Sequence, residues 1–145
     1  MCHRMERKSV KKVVTCFLEK KGKILLFRRS PKVGTFKGKW AGISGYMEPD
    51  ETPFQTAIKE LAEETKLEQT DISVLNEGEM LSISDNKNGV VWQVYPFLFH
   101  VKTPGKIEMD WEHVESKWIE PHEIIEYDTV PQLTETLAKV YALKI

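Results

Sequence analysis

The segment Thr52-Pro53-Phe54-Gln55-Thr56-Ala57-Ile58-Lys59-Glu60-Leu61-Ala62-Glu63-Glu64-Thr65-Lys66 constrains this chain more than any other. Thr52 can cap a helix, Pro53 suits the first helical position, and Gln55 three residues on completes a capping box. The helix runs to Thr65 or Lys66. At about 100° per residue, Phe54, Ala57, Ile58, Leu61 and Thr65 fall on one side, which must face a core. Glu60, Glu63 and Glu64 gather on another, spaced i, i+3 and i+4. Like charges so placed repel by a few tenths of a kcal/mol per pair, and nothing in folding requires that cost. A hard divalent cation turns the repulsion into attraction, because clustered carboxylate oxygens are what magnesium or manganese coordinates. Three helical glutamates alone are ordinarily a solvated face, so the surroundings must decide.

Those surroundings read as strands. Residues 10–18 are rich in β-branched side chains, and residues 23–29 form their partner across a Lys20-Lys21-Gly22 turn. A loop over 30–39 leads to a short apolar piece at 40–44. Beyond the helix come strand-like stretches at 72–83 and 90–101, joined by Asp85-Asn86-Lys87-Asn88-Gly89, a strong hairpin sequence. A Thr103-Pro104-Gly105 turn, a strand near 115–119 and a short helix at 121–125 follow. The closing helix starts near Pro131, with Leu133, Leu137, Val140 and Tyr141 as one apolar stripe. Strands first, a helix in the middle and a helix at the end predict an α+β, three-layer arrangement.

Size and charge narrow the function classes. A chain of 145 residues with 41% hydrophobic and 30% charged residues fits one domain with a real core, taken here as residues 10–145. Residues 1–9 read as a flexible basic tail, since the apolar run after them is too short for an export signal. A net charge of −1 gives no global field for nucleic acid or an anionic membrane. No stretch nears the roughly 20 apolar residues of a membrane span. Two cysteines, Cys2 and Cys16, stand in no metal-ligand spacing and favour a reducing cytoplasm.

The context of the acidic helix goes further. Gly45, five residues, Glu51, seven residues, then Lys59-Glu60-Leu61-Ala62-Glu63-Glu64-Thr65-Lys66-Leu67 resembles the Nudix box of the MutT-type hydrolases without a gap. The box reads G-x5-E-x7-R-E-U-x-E-E-x-G-U, with U a bulky aliphatic residue. The resemblance implies the Nudix fold, a mixed β-sheet sandwiched between α-helices. It also implies a Mg2+- or Mn2+-dependent pyrophosphohydrolase. Carried over by position, Glu60, Glu63 and Glu64 bind metal, with the Gly45 carbonyl, and Glu51 sits behind them or helps a further ion. Two positions depart from the box. Lys59 replaces an arginine that orients carboxylates, with Glu51 as its partner. Lys66 replaces a glycine, which costs on the order of 1 kcal/mol if the backbone there is left-handed. The general base is less settled: Glu112, before Trp118, stands where MutT-type relatives place one, with Glu115 in reserve.

On the substrate side, Arg28, Arg29, Lys32, Lys37 and Lys39 make a run of cations without an acid, suited to gripping a diphosphate; Trp40 follows at once. Trp40, Trp92, Tyr95 and Phe97 could stack a base, although aromatics in strands are more often core. His100 and His113 have no ligand spacing and receive no role. The segments 40–46, 111–113 and 128–131 also resemble one Nudix subgroup, found alone or joined to initiation-factor-2B-like sugar-phosphate isomerase domains. The expected substrate is a nucleotide sugar such as ADP-ribose, or a (d)NTP, oxidised or not, and relatives suggest a homodimer. The competing expectation is a nucleotide-binding or regulatory module without turnover. An isomerase on the same fold lacks the extra acid-base residues it would need.

Overall fold

The computed structural model describes residues 8–142. Strands β1 (Ser9–Lys20) and β2 (Lys23–Arg29) form a hairpin. Its turn residues Lys21 and Gly22 have φ of 52° and 81°, the paired left-handed conformation that a two-residue hairpin loop demands. Short strands β3 (Trp40–Ala41) and β4 (Ile43–Tyr46) lead into helix α1 (Pro53–Thr65). Strands β5 (Ile72–Glu77), β6 (Leu81–Asp85), β7 (Val90–Val101) and β8 (His113–Ile119) follow. A 3-10 turn (Pro121–Glu126) and helix α2 (Leu133–Ala138) close the described chain.

The strands form one mixed sheet along β3-β2-β1-β7-β5. β1 and β7 run parallel from Ser9↔Val90 to Glu19↔His100, while the other pairs are antiparallel. Each of these long strands changes partner part-way. β1 takes β4 at residues 13–16 and β2 from residue 18; β7 takes β6 at 90–94 and β5 from 97. The sheet therefore forks at both sides of its centre.

Period-two alternation sorts the side chains into two cores. Val14, Cys16, Leu18, Leu25, Phe27, Phe97 and Phe99 face one way and pack with Ala57 and Leu61 of α1. Phe17, Ile24, Leu26 and Leu98 face the other way and pack with Ile124, Leu133, Leu137 and Val140. Both faces of β1 and β2 are covered, which is why these strands read as nearly continuous apolar runs. The expected α+β sandwich of a mixed sheet between helices is the observed fold.

Several boundaries differ from the sequence expectation. The stretch 72–83 is two strands, because β7 carries Pro96, which has no N–H for the ladder. The chain breaks opposite it at Gly78, whose N–H reaches the Pro96 carbonyl at 2.9 Å and whose Cα has no room for a Cβ against Lys139 O and Val140. The expected tail 1–9 falls mostly outside the described residues, but its last residue, Ser9, already belongs to β1 and donates to Gly89 O at 2.9 Å.

Helix α1 starts as expected. Thr52 accepts from Gln55 N at 3.2 Å, and Gln55 Oε1 accepts from Thr52 N at 2.9 Å. At the other end Lys66 has φ 66°, ψ 9°, a left-handed cap that donates to Ala62 O at 3.2 Å. Asp71 then ties the helix exit to the end of β7: it accepts from Lys106 Nζ at 2.8 Å, Thr103 Oγ1 at 2.9 Å and Glu68 N at 2.8 Å.

Two predictions follow from these anchors. Lys66→Gly relieves the left-handed strain and should raise stability by about 1 kcal/mol, read from the urea midpoint. The Lys106 ammonium, then the Glu68 N–H, hold the Asp71 carboxyl down at about 2 against its ordinary 3.8. Because the folded value lies below the unfolded one, its stabilisation is complete above about 3.8 and disappears as pH falls through about 2. Asp71→Asn should lower the melting temperature at neutral pH and flatten its fall across that acid window.

Candidate active site

Helix α1 lies on the sheet through Ala57, Leu61 and Thr65, and that contact turns Glu64 inward as well. Glu64 is only 3% exposed, Glu60 is half-buried, and Glu63 is exposed. The acidic face is thus not one solvated stripe. Strand β4 makes room for it: a Cβ on Gly45 would lie 2.1 Å from Glu60 Cδ, so Glu60 crosses the glycine directly. Below the carboxylates is Cys16, a free buried thiol, whose pKa burial raises, with the Glu64 and Glu60 charges adding to it.

A fourth carboxylate comes from far along the chain. Glu112 sits at the turn into β8, where its N–H donates to Asp110 Oδ1 at 3.0 Å and its carbonyl accepts from Ser30 N at 2.7 Å. The next residue, His113, is buried beside Glu64: Nε2 stands 4.0 Å from Glu64 Oε1, and the ring packs 5.2 Å from that of Phe27. Each of Glu64, Glu112 and His113 offers one ligand atom within 4.8 Å of the others. His113 was given no role from the sequence. A bulge at β8, where Arg28 pairs with Glu115 but Arg29 with His113, re-aims the histidine inward, and spacing alone does not announce a bulge.

Burial, and then the closeness of Glu112 and Glu60, push the Glu64 carboxyl up to about 11. Burial also raises Glu60. In the protein by itself Glu64 therefore keeps its proton at neutral pH. Its Oε2 is buried with no hydrogen-bond partner, a state that costs about 1–3 kcal/mol or more. A buried, unpartnered oxygen among hard carboxylate donors is what a divalent cation satisfies, so these residues fit a metal.

The Lys59–Glu51 pair expected from the sequence is present. Lys59 Nζ reaches both Glu51 oxygens, at 2.8 and 3.0 Å, and Thr56 Oγ1 donates to Glu51 at 2.9 Å. The Lys59 hydrogen bond lowers the Glu51 pKa. Glu51 braces the turn into α1 through Glu48 N at 3.1 Å, so its oxygens are engaged there.

A cleft of about 1150 Å³ opens over the carboxylates. Gly45, Lys59, Glu60, Glu63 and Glu112 form one wall, while Tyr46, Trp92 and the β6–β7 hairpin form another. Of Arg28, Arg29, Lys32, Lys37, Lys39 and Trp40, only Arg29 lines it. Arg28 turns to Gly38 O (3.3 Å) and Glu115 (3.6 Å), and Lys39 pairs with Asp128 at 2.7 Å. Trp40 packs edge-on against Tyr127, 5.4 Å between centroids, in the α2-side core. Glu115 flanks the bulge that aims His113, but it sits at an exposed strand position held by Arg28 and does not line the cleft. Phe97 and Tyr95 belong to the α1-side core, whereas Trp92 reaches the cleft and lies 6.0 Å from the Tyr46 ring.

With this geometry the comparison with known proteins is direct. The profile of the NUDIX domain family matches residues 8–143. The chain belongs to the Nudix family. It is 29% identical to the CTP pyrophosphohydrolase of Escherichia coli (strain K12) over 133 residues, covering 91% of this chain and 92% of that protein. The solution structure of the E. coli ORF135 protein superposes with a TM-score of 0.70 at 25% identity, covering 91% and 89% of the two chains. A C. elegans Ap4A hydrolase binary complex shares the fold, with a TM-score of 0.68 at 21% identity over 90% and 93%. This Nudix chain is accordingly an enzyme of the hydrolase kind. No helix among its described residues is long and apolar enough to cross a membrane.

The close seat of Glu60 on Gly45 generates a test. In Gly45→Ala the flexible end of Glu60 must swing aside, which the fold tolerates within about 1 kcal/mol. The displaced carboxylate should lower kcat/KM by about tenfold or more, since about 1.4 kcal/mol of lost positioning suffices. Paired melting and turnover measurements separate the two effects.

Proposed function

We propose that this Nudix enzyme is a divalent-metal-dependent pyrophosphohydrolase that cleaves a phosphoanhydride within a nucleotide. The observation that carries this reading is the meeting of Glu60 and Glu64 from α1 with Glu112 from the β8 turn beside an open cleft. Glu60, Glu63 and Glu64, with the Gly45 carbonyl, would hold Mg2+ or Mn2+. When bound, such an ion neutralises phosphate charge and makes water a better nucleophile. Glu112, half-buried in the cleft wall, would accept the proton of the attacking water. Arg29 offers a guanidinium to the diphosphate, and Lys59 keeps the α1 turn rigid through Glu51.

Two substrate classes suit this chemistry, a (d)NTP and a nucleotide sugar such as ADP-ribose. The first has the support of the relative whose name is CTP pyrophosphohydrolase. The likeness to the subgroup joined to initiation-factor-2B-like domains adds no substrate. The departures from the box at Lys59 and Lys66 are the features that would favour a module that binds without turnover. Lys59 is paired with Glu51 and Lys66 caps the helix, so neither substitution removes a carboxylate from the cluster. Residues 10–145 as one domain, a cytoplasmic setting and a homodimer remain part of this proposal.

Incubation with a panel of nucleoside triphosphates and nucleotide sugars, with and without Mg2+ or Mn2+, should show metal-dependent release of a nucleoside monophosphate by mass spectrometry. Glu64→Gln should reduce turnover by about a hundredfold or more, as loss of nearly 3 kcal/mol implies. Its melting temperature should hold or rise, because the amide replaces a carboxyl already neutral there. Full activity in that variant, or tight nucleotide binding without product, defeats the reading.

A further inference from the structure

His113 is the member of the Glu64–Glu112–His113 cluster that lies outside the box and has no role in the reading above. Its side chain is 1% exposed. Nδ1 is buried without a hydrogen-bond partner, and Nε2 lies 4.0 Å from Glu64 Oε1, too far for a hydrogen bond. A buried imidazole nitrogen without a partner is costly unless something completes it. Two ligand atoms sharing one ion, each about 2.1 Å away, are separated by up to about 4.2 Å. The Glu64–His113 separation falls inside that limit. On the far side of the ring, Asp110 Oδ1 stands 3.7 Å from Nδ1. Metal-binding histidines are oriented by a carboxylate that accepts from their other nitrogen, and Asp110 needs to close by only a few tenths of an ångström to do so.

We propose that His113 is a nitrogen ligand of the cation site, acting with Glu64, and that it biases the site toward first-row transition ions over Mg2+. The proposal rests on the metal-dependent reading given above. Carboxylate oxygens alone suit Mg2+, whereas an imidazole raises affinity along the series toward Co2+ and Zn2+ and adds little for Mg2+. Phe27 packs against the ring at an interplanar angle of 47°, and Asp110 stands on its Nδ1 side.

The test uses tag-free full-length protein loaded with one equivalent of Mn2+, examined by pulsed electron paramagnetic resonance. Modulation from a directly bound 14N is expected, changing to the 15N pattern after labelling with 15N-histidine. His113→Gln should abolish it, while His3→Gln, His100→Gln and His122→Gln should keep it. By calorimetry, His113→Gln should weaken Co2+ binding by about tenfold or more, with Mg2+ affinity changed by less than a third of that factor. Bound Mn2+ without nitrogen coupling overturns the ligand assignment and leaves the metal-dependent hydrolase standing. Equal weakening of Co2+ and Mg2+ overturns it too, marking a packing role only. Failure of Mn2+ to bind at all overturns both. If His113→Gln does not fold, the labelled wild type together with the three other variants still decides, since coupling that vanishes with His3, His100 or His122 assigns the nitrogen elsewhere, and coupling that survives all three assigns it to His113.

Discussion

The architecture around the site depends on a carboxyl group placed where solvent cannot help it. Glu64 is nearly inaccessible, one of its oxygens has no partner, and two further carboxylates stand close by. Such a group weakens the folded state when no cation is present. Its neighbours are understandable as consequences. Gly45 lacks a side chain because Glu60 occupies that space, and Cys16 beneath the pair is small and uncharged. Stability is given up locally so that charge can be gathered where a phosphate would lie.

That concession is tolerable because the elements carrying it are held from several sides. The capping box fixes the first turn of α1, Glu51 and Lys59 clamp the turn before it, and Asp71 ties its exit to the end of β7. Ala57 and Leu61 are fully buried against strands that are themselves covered on their other face. Carboxylates on such a helix cannot relax away from one another by a rotation of the backbone. Rigid placement of like charges is preorganisation, and it is what a site acting through positioning and electrostatics requires.

The forked sheet contributes in a different way. β1 exchanges β4 for β2 along its length, and β7 exchanges β6 for β5 about Pro96. Short strands β3 and β4 leave the cleft a floor of strand residues such as Val13 and Thr15, with walls built from loops and helix ends. The cationic loop from Arg28 to Lys39 was expected to face substrate as a whole. Its members instead divide, since Arg28 and Lys39 find acidic partners and Arg29 alone of the named residues lines the cleft. Charge composition marks a loop as basic, but pairing in three dimensions decides which charges stay available.

Much was readable locally. The cap at Thr52, the Lys21–Gly22 turn, the hairpin at residues 85–89 and the stripe of α2 are short-range features, and local hydrogen bonding or a repeat period suffices to specify them. The Glu60, Glu63, Glu64 spacing and the Lys59–Glu51 partnership are also properties of one turn and one helix. What tertiary structure alone decided was burial and convergence: that Glu64 points inward while Glu63 does not, that Glu112 arrives from a distant strand, and that a bulge turns His113 toward them. Helical periodicity gives an angle around an axis, whereas depth and neighbours depend on what is packed against that axis. For groups far apart in the chain, only the closed sheet supplies that information.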